Sequence, residues 1–111
     1  MCKQYEALVS ALKATTLPIA ENEWYSRPGC ESYGIVSLDF EAGAIRGDNA
    51  KLDTAYEGSV DLFSHSKDGA GWVQMITGAL ETCCDGCWSL NSHVYERETG
   101  LFHWEWTFEV I

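Results

Sequence analysis

Phe102-His103-Trp104-Glu105-Trp106-Thr107-Phe108-Glu109-Val110 alternates apolar and polar residues without a break. Phe102, Trp104, Trp106, Phe108 and Val110 fall on one side, and His103, Glu105, Thr107 and Glu109 on the other. Successive strand side chains point to opposite faces, so this period marks a half-buried β-strand and excludes an amphipathic helix. Two Trp and two Phe in consecutive inward positions supply most of a small domain's core. Fully burying side chains of this size is worth about 1.5–3 kcal/mol each. The opposite face is polar and acidic, so it is either solvated or turned towards something that tolerates negative charge.

Working back along the chain, Glu96-Arg97-Glu98-Thr99-Gly100 reads as a hairpin connection, with Gly where a left-handed residue is usually needed. Before it, Cys87 to Tyr95 reads as the partner strand through Trp88, Leu90 and Val94. A helix is expected from Trp72, with Trp72, Val73, Ile76, Ala79, Leu80 and Cys83 on one stripe and Asp85-Gly86 closing it. Lys67-Asp68-Gly69-Ala70-Gly71 separates that helix from a strand over Thr54 to Ser64, where Tyr56, Gly58, Val60 and Leu62 alternate with Glu57, Ser59, Asp61 and Phe63. Gly47-Asp48-Asn49-Ala50 is turn chemistry. Tyr33 to Ile45 is a further strand, with Gly34 and Gly43 as bends or bulges. Ser26-Arg27-Pro28-Gly29 opens a loop to Glu31, and Ile19 to Tyr25 reads as a short strand. Tyr5, Leu8, Val9 and Leu12 give a first helix from Lys3 to Ala14, and Pro18 forbids its continuation. The expected fold is α+β in the order α-β-β-β-α-β-β: an antiparallel or mixed sheet of about five strands with two helices on one face.

The chain has 111 residues, which places it in one domain, residues 1–111, with a core that needs no staples. Hydrophobic content of 46% and 13% aromatics exclude disorder. The net charge of −10, with only seven scattered Lys and Arg, argues against a primary nucleic-acid-binding surface. Apolar runs are too short for a membrane span, and Met1-Cys2-Lys3-Gln4 opens into a helix pattern rather than a signal peptide, so the expectation is an intracellular product. In that compartment five Cys read as free thiols.

Cys83-Cys84-Asp85-Gly86-Cys87 is the cluster with metal spacing. Cys84 and Cys87 could hold two corners of a tetrahedral zinc, but a closed site needs four ligands. The others would come from Cys2, Cys30, His65 or His93, none in a second paired motif. Cys83 also fits the apolar helix stripe, where a free Cys behaves as a small hydrophobe. His65, His93 and His103 invite an acid–base reading with Asp61, Glu105 or Glu109, but no nucleophile motif or phosphate loop accompanies them. The expectation is therefore no catalytic residue, no cofactor and no metal. Asp39, Glu41, Glu57 and Asp61 alternate on neighbouring strands, as a solvated or functional acidic sheet face. Trp24 and Tyr25 beside Arg27-Pro28-Gly29 form either a recognition patch or a cap on the core.

Glu57-Gly58-Ser59-Val60-Asp61-Leu62-Phe63 ahead of a Gly-led helix resembles the central strand of small tail-completion proteins of long-tailed phages. Tyr95 to Phe108 is similar to the last hairpin of that group, and length and element order resemble the phage tail-terminator class. The resemblance spans most of the chain and rests on strand signatures, with no catalytic residues to carry over. It implies a non-enzymatic virion component, made in the bacterial cytoplasm, that self-associates into a ring, usually of about six subunits. The ring closes the head-proximal end of the tail, against tail-tube and head–tail connector proteins. A strongly acidic lumen suits such a ring, because it repels phosphate and lets the duplex slide through without being bound. Ser26–Tyr33 and Arg46–Asp53 are the expected contact segments, with Asp39, Glu41, Glu57 and Asp61 facing the channel or solvent. The alternatives are a head-completion or minor capsid protein, and, from another class, a small acidic adaptor or inhibitor that binds a basic partner by charge mimicry.

Overall fold

The structure, a computed structural model, describes residues 3–23, 29–41 and 55–111. Helix α1 spans Lys3–Lys13 and buries Tyr5, Leu8, Val9 and Leu12, the four residues of the expected stripe. Its end is tied off locally: the Thr15 hydroxyl donates to the Leu12 carbonyl at 2.8 Å, satisfying one of the last-turn acceptors. Strand β1 (Ile19–Glu21) follows Pro18 and runs parallel to β2 (Ser32–Glu41), so the sheet is mixed. Asn22 stops β1. It adopts φ 56°, its N–H donates to the Val36 carbonyl at 2.7 Å, and its side-chain oxygen accepts from the Leu38 N–H at 3.0 Å.

Strand β3 (Tyr56–Ser64) lies antiparallel to β2 and to β5 (Leu101–Val110), and β4 (Trp88–Glu96) pairs antiparallel with β5. The spatial order is β1-β2-β3-β5-β4, which puts β3 at the centre with β2 and β5 on either side of it. Helix α2 (Trp72–Cys83) is entered through a short turn, Gly69–Gly71, where the Asp68 carboxylate accepts from the Ala70 N–H at 3.0 Å. Asp85 and Gly86, both with positive φ, end it.

Both helices lie on one face of the sheet and share a core with Val36, Val60, Leu62, Trp104, Trp106, Phe108 and Val110. Trp106 is fully buried, and its indole N–H has no hydrogen-bond partner among the described residues. Gly58 is a matter of space: a Cβ there would overlap both the Ser37 carbonyl and the Phe108 ring, which lies over it.

The expected α2 stripe holds, with Ile76 and Leu80 buried and Trp72, Val73, Ala79 and Cys83 packed partly buried against the core, and Cys84, just beyond the helix, is enclosed as well. Three local expectations need correction. The irregularity in β2 falls at Asp39, between Leu38 and Phe40, while Gly34 pairs in register with Leu62 and instead makes room for the Ile19 side chain. Phe63, expected among the polar residues of β3, is buried with Tyr33, Ile35 and Leu101 in a second small cluster on the side of the sheet away from the helices. Asp61, expected in solvent or on a channel wall, is 7% exposed beside that cluster. Trp24, Tyr25, Arg27, Pro28, Gly43 and the Arg46–Asp53 segment lie outside the described residues, as does the first part of Ser26–Tyr33.

Candidate functional site

The open face of the sheet, opposite the helices, holds the polar constellation. Asp61 on β3 stands directly across from Glu105 on β5. Two like charges facing each other across a strand pair are destabilising, so a cation is needed nearby. His103 supplies it. Its Nε2 lies 2.8 Å from Asp61 Oδ1, and its Nδ1 lies 3.0 Å from Glu96 Oε2 at the end of β4. The ring stacks on Phe63 with centroids 4.2 Å apart, and Phe63 in turn stacks on Tyr33 at 5.0 Å.

Burial of His103 works against its charged form, but the hydrogen bonds and charges of Asp61 and then Glu96 outweigh it, and the net effect raises its pKa above the ordinary imidazole value. A doubly donating imidazolium satisfies both carboxylates at once. A neutral ring would present one bare nitrogen to a carboxylate oxygen. With both nitrogens engaged, this histidine is a clamp between three strands and has no ring position left to take a proton from a substrate. Below it, Ser32 and Ser64 share a buried hydroxyl–hydroxyl bond of 2.8 Å, and the Ser64 oxygen also accepts from the Ser66 N–H.

Beside the clamp, a shallow open trough of about 780 Å³ runs over Ser37, Asp39, Ser59, Asp61, His103 and Glu105. Its carboxylates come from β2, β3 and β5, and Glu23 adds another at its rim. Among the described residues, no Lys or Arg lines it. An open surface of this kind repels anions and phosphates.

The remaining candidates are dispersed. His65 is exposed, and its backbone N–H donates to the Glu31 carbonyl. His93 is exposed on β4 and stacks on Trp104 at 4.3 Å. Cys30 and Cys83 are half-buried, Cys84 is buried and Cys87 is exposed. Among the described residues, no three His, Cys, Asp or Glu side chains converge in a way that could hold a metal ion. Asp39 and Glu109 are exposed, and Glu57 is half-buried. Of the acid–base pairings weighed from sequence, Asp61–His103 is the one the structure assembles. Glu105 sits close by without bonding the ring. Glu96 reads from sequence as part of a turn, and the signal that points to it is the hairpin itself: closing Tyr95-to-Leu101 brings Glu96 beside the strand that bears His103.

No protein-family model and no curated protein matches the sequence. Five chains among solved structures do match by fold. One belongs to the virion of a native gene transfer agent particle, with a TM-score of 0.50 and 13% identity, over 98% of this chain and 92% of that one. The two chains share a fold. The correspondence takes in both helices and the whole five-stranded sheet rather than one motif. No helix among the described residues is long and apolar enough to cross a membrane.

Proposed function

We propose that this chain is a non-enzymatic structural protein of a phage or phage-like particle, located in the virion, and more narrowly a tail-completion or terminator subunit that assembles as a ring at the head-proximal end of the tail. The observation that carries the reading is the near end-to-end fold likeness to a chain of a gene transfer agent virion. The tail-protein resemblance of the β3 strand and the last hairpin supports the narrower role. So does the chemistry of the open face: a trough lined by carboxylates, with no Lys or Arg among its described residues, suits a wall past which DNA must slide unheld. The ring would join tail-tube subunits below it to connector proteins above it, with DNA passing through and no membrane contact.

The test is genetic. Deleting the gene from its phage or prophage should leave filled heads and tails that fail to join, or tails of uncontrolled length, in electron micrographs of induced lysates. Restoring the gene in trans should restore joined particles. Joined particles with tails of normal length in the deletion strain would refute the terminator role.

A further inference from the structure

Among the described residues, β4 forms one edge of the sheet and pairs only with β5. The Cys87 carbonyl accepts from the Glu109 N–H at 2.9 Å, so the alternation of the ladder can be followed from that point. Along the register, the N–H and C=O groups of Trp88, Leu90, His93 and Tyr95 turn away from β5. Soluble proteins blunt such edges with Lys, Pro, shortness or bulges. β4 is nine residues long, contains neither Lys nor Pro, and has its one charged residue, Glu96, at its end; the irregularity between Leu90 and Ser92 is the single blunting feature.

Large apolar side chains are exposed on the same strand: Leu90 at 46%, Val94 at 49% and Tyr95 at 53%. Leu90 and Tyr95 register with Trp106 and Phe102 on the helix side, whereas Val94 registers with His103 on the open side. A partner laid against either face would leave the other set in water. A strand added at the edge stands beside both, and it also pairs the outward backbone groups. Charge identifies the occupant. In a chain of net charge −10, Trp88 to Tyr95 contains no charged residue. A cationic partner would be drawn to the carboxylates of the trough, whereas two copies of one acidic chain approach with least repulsion where charge is missing.

We propose that β4 is the edge on which a second copy of this chain adds a strand, continuing the sheet across the interface. The inference does not depend on the tail reading. Sedimentation velocity and light scattering of the purified full chain, up to about 1 mM, the weak limit of a useful contact, should show self-association. Two variants test the site. Val94→Glu/Tyr95→Glu places like charges on the edge, and His93→Pro removes an outward N–H while leaving the bonds to β5, a position at which an edge strand tolerates proline. Each should weaken association at least tenfold, with far-ultraviolet circular dichroism and cooperative thermal unfolding retained. If the proline variant fails to fold, the charge variant decides. A wild-type chain that stays monomeric throughout, or undiminished association in the folded variants, would overturn the proposal. A discrete dimer lost in both variants would uphold the β4 contact while counting against a ring closed through it; a ring lost in both would uphold the contact and support the ring.

Discussion

Replacing Trp106 by alanine should cost more than any other single truncation in β5. The side chain is fully buried between the sheet and the two helices, with Leu62, Ile76, Leu80, Phe108 and Val110 in the same core. Emptying a large aromatic site of this kind costs about 3–5 kcal/mol, the transfer term plus the cavity left behind. A domain of 111 residues has an unfolding entropy near its melting temperature of about 0.23 kcal/mol/K, at roughly 2.1 cal/mol/K per residue. The truncation should therefore lower the melting temperature by about 13–21 °C. Part of the cost is offset, because the indole N–H has no partner among the described residues and its removal relieves a buried unsatisfied donor. Trp106→Phe keeps most of the volume and also removes that N–H, so it should lose less than half as much. Differential scanning calorimetry, with urea titration as a second measure, reads both. A Trp106→Ala melting temperature within about 5 °C of wild type, or a Trp106→Phe variant as damaged as the alanine one, would refute the assignment of this residue to the centre of the core.

Three further outcomes follow from the geometry. The folded chain holds His103 as an imidazolium with a raised pKa, so that contribution to stability is complete below about pH 6.5 and is lost as pH rises through the higher folded value. The melting temperature should fall over that interval, and the His103→Gln variant should lose this dependence. Equal slopes in the two proteins would mean the clamp is not charged. Gly58→Ala should destabilise by about 1–3 kcal/mol, because the new methyl meets a backbone carbonyl that cannot move aside as well as the Phe108 ring; chemical denaturation measures it, and a neutral result would contradict the packing of Phe108 on β3. Protein purified without added metal should contain no stoichiometric zinc, and a zinc content abolished in Cys84→Ser/Cys87→Ser would show a site that the described residues do not form.

The parts of this fold that were legible in the sequence are those decided within a few residues. The period of two in β5, the stripe of α1 and the Asp85-Gly86 stop are local signals, and each element lies within a residue or two of its expected bounds. What was not legible depends on pairing at a distance. Phe63 reads as one aromatic on a polar face until the register sets it opposite Tyr33, where the two rings stack and a second cluster forms. Asp61 reads as one of several surface carboxylates until the register brings His103, stacked on Phe63, within hydrogen-bond distance of it. The bulge in β2 falls at Asp39, which carries no Gly or Pro to announce it, while Gly34 answers to the crowding of the parallel β1. That parallel pairing is itself set by Pro18 and Asn22 at the two ends of β1, which accept from the Gly34 and Leu38 N–H groups respectively.

The central claim is that this acidic α+β chain is a component of the particle, positioned where tail meets head. Cryo-electron microscopy of purified particles, joined to quantitative mass spectrometry of the same preparation, tests it most directly. The account predicts about six copies per particle, as a closed ring of heterologous contacts would contain. Density matching the five-stranded sheet and its two helices should lie at the head-proximal end of the tail, with the carboxylate-lined open face towards the channel. Particles that lack the chain altogether would contradict the claim, and so would density for it confined to the capsid shell or the distal tail tip.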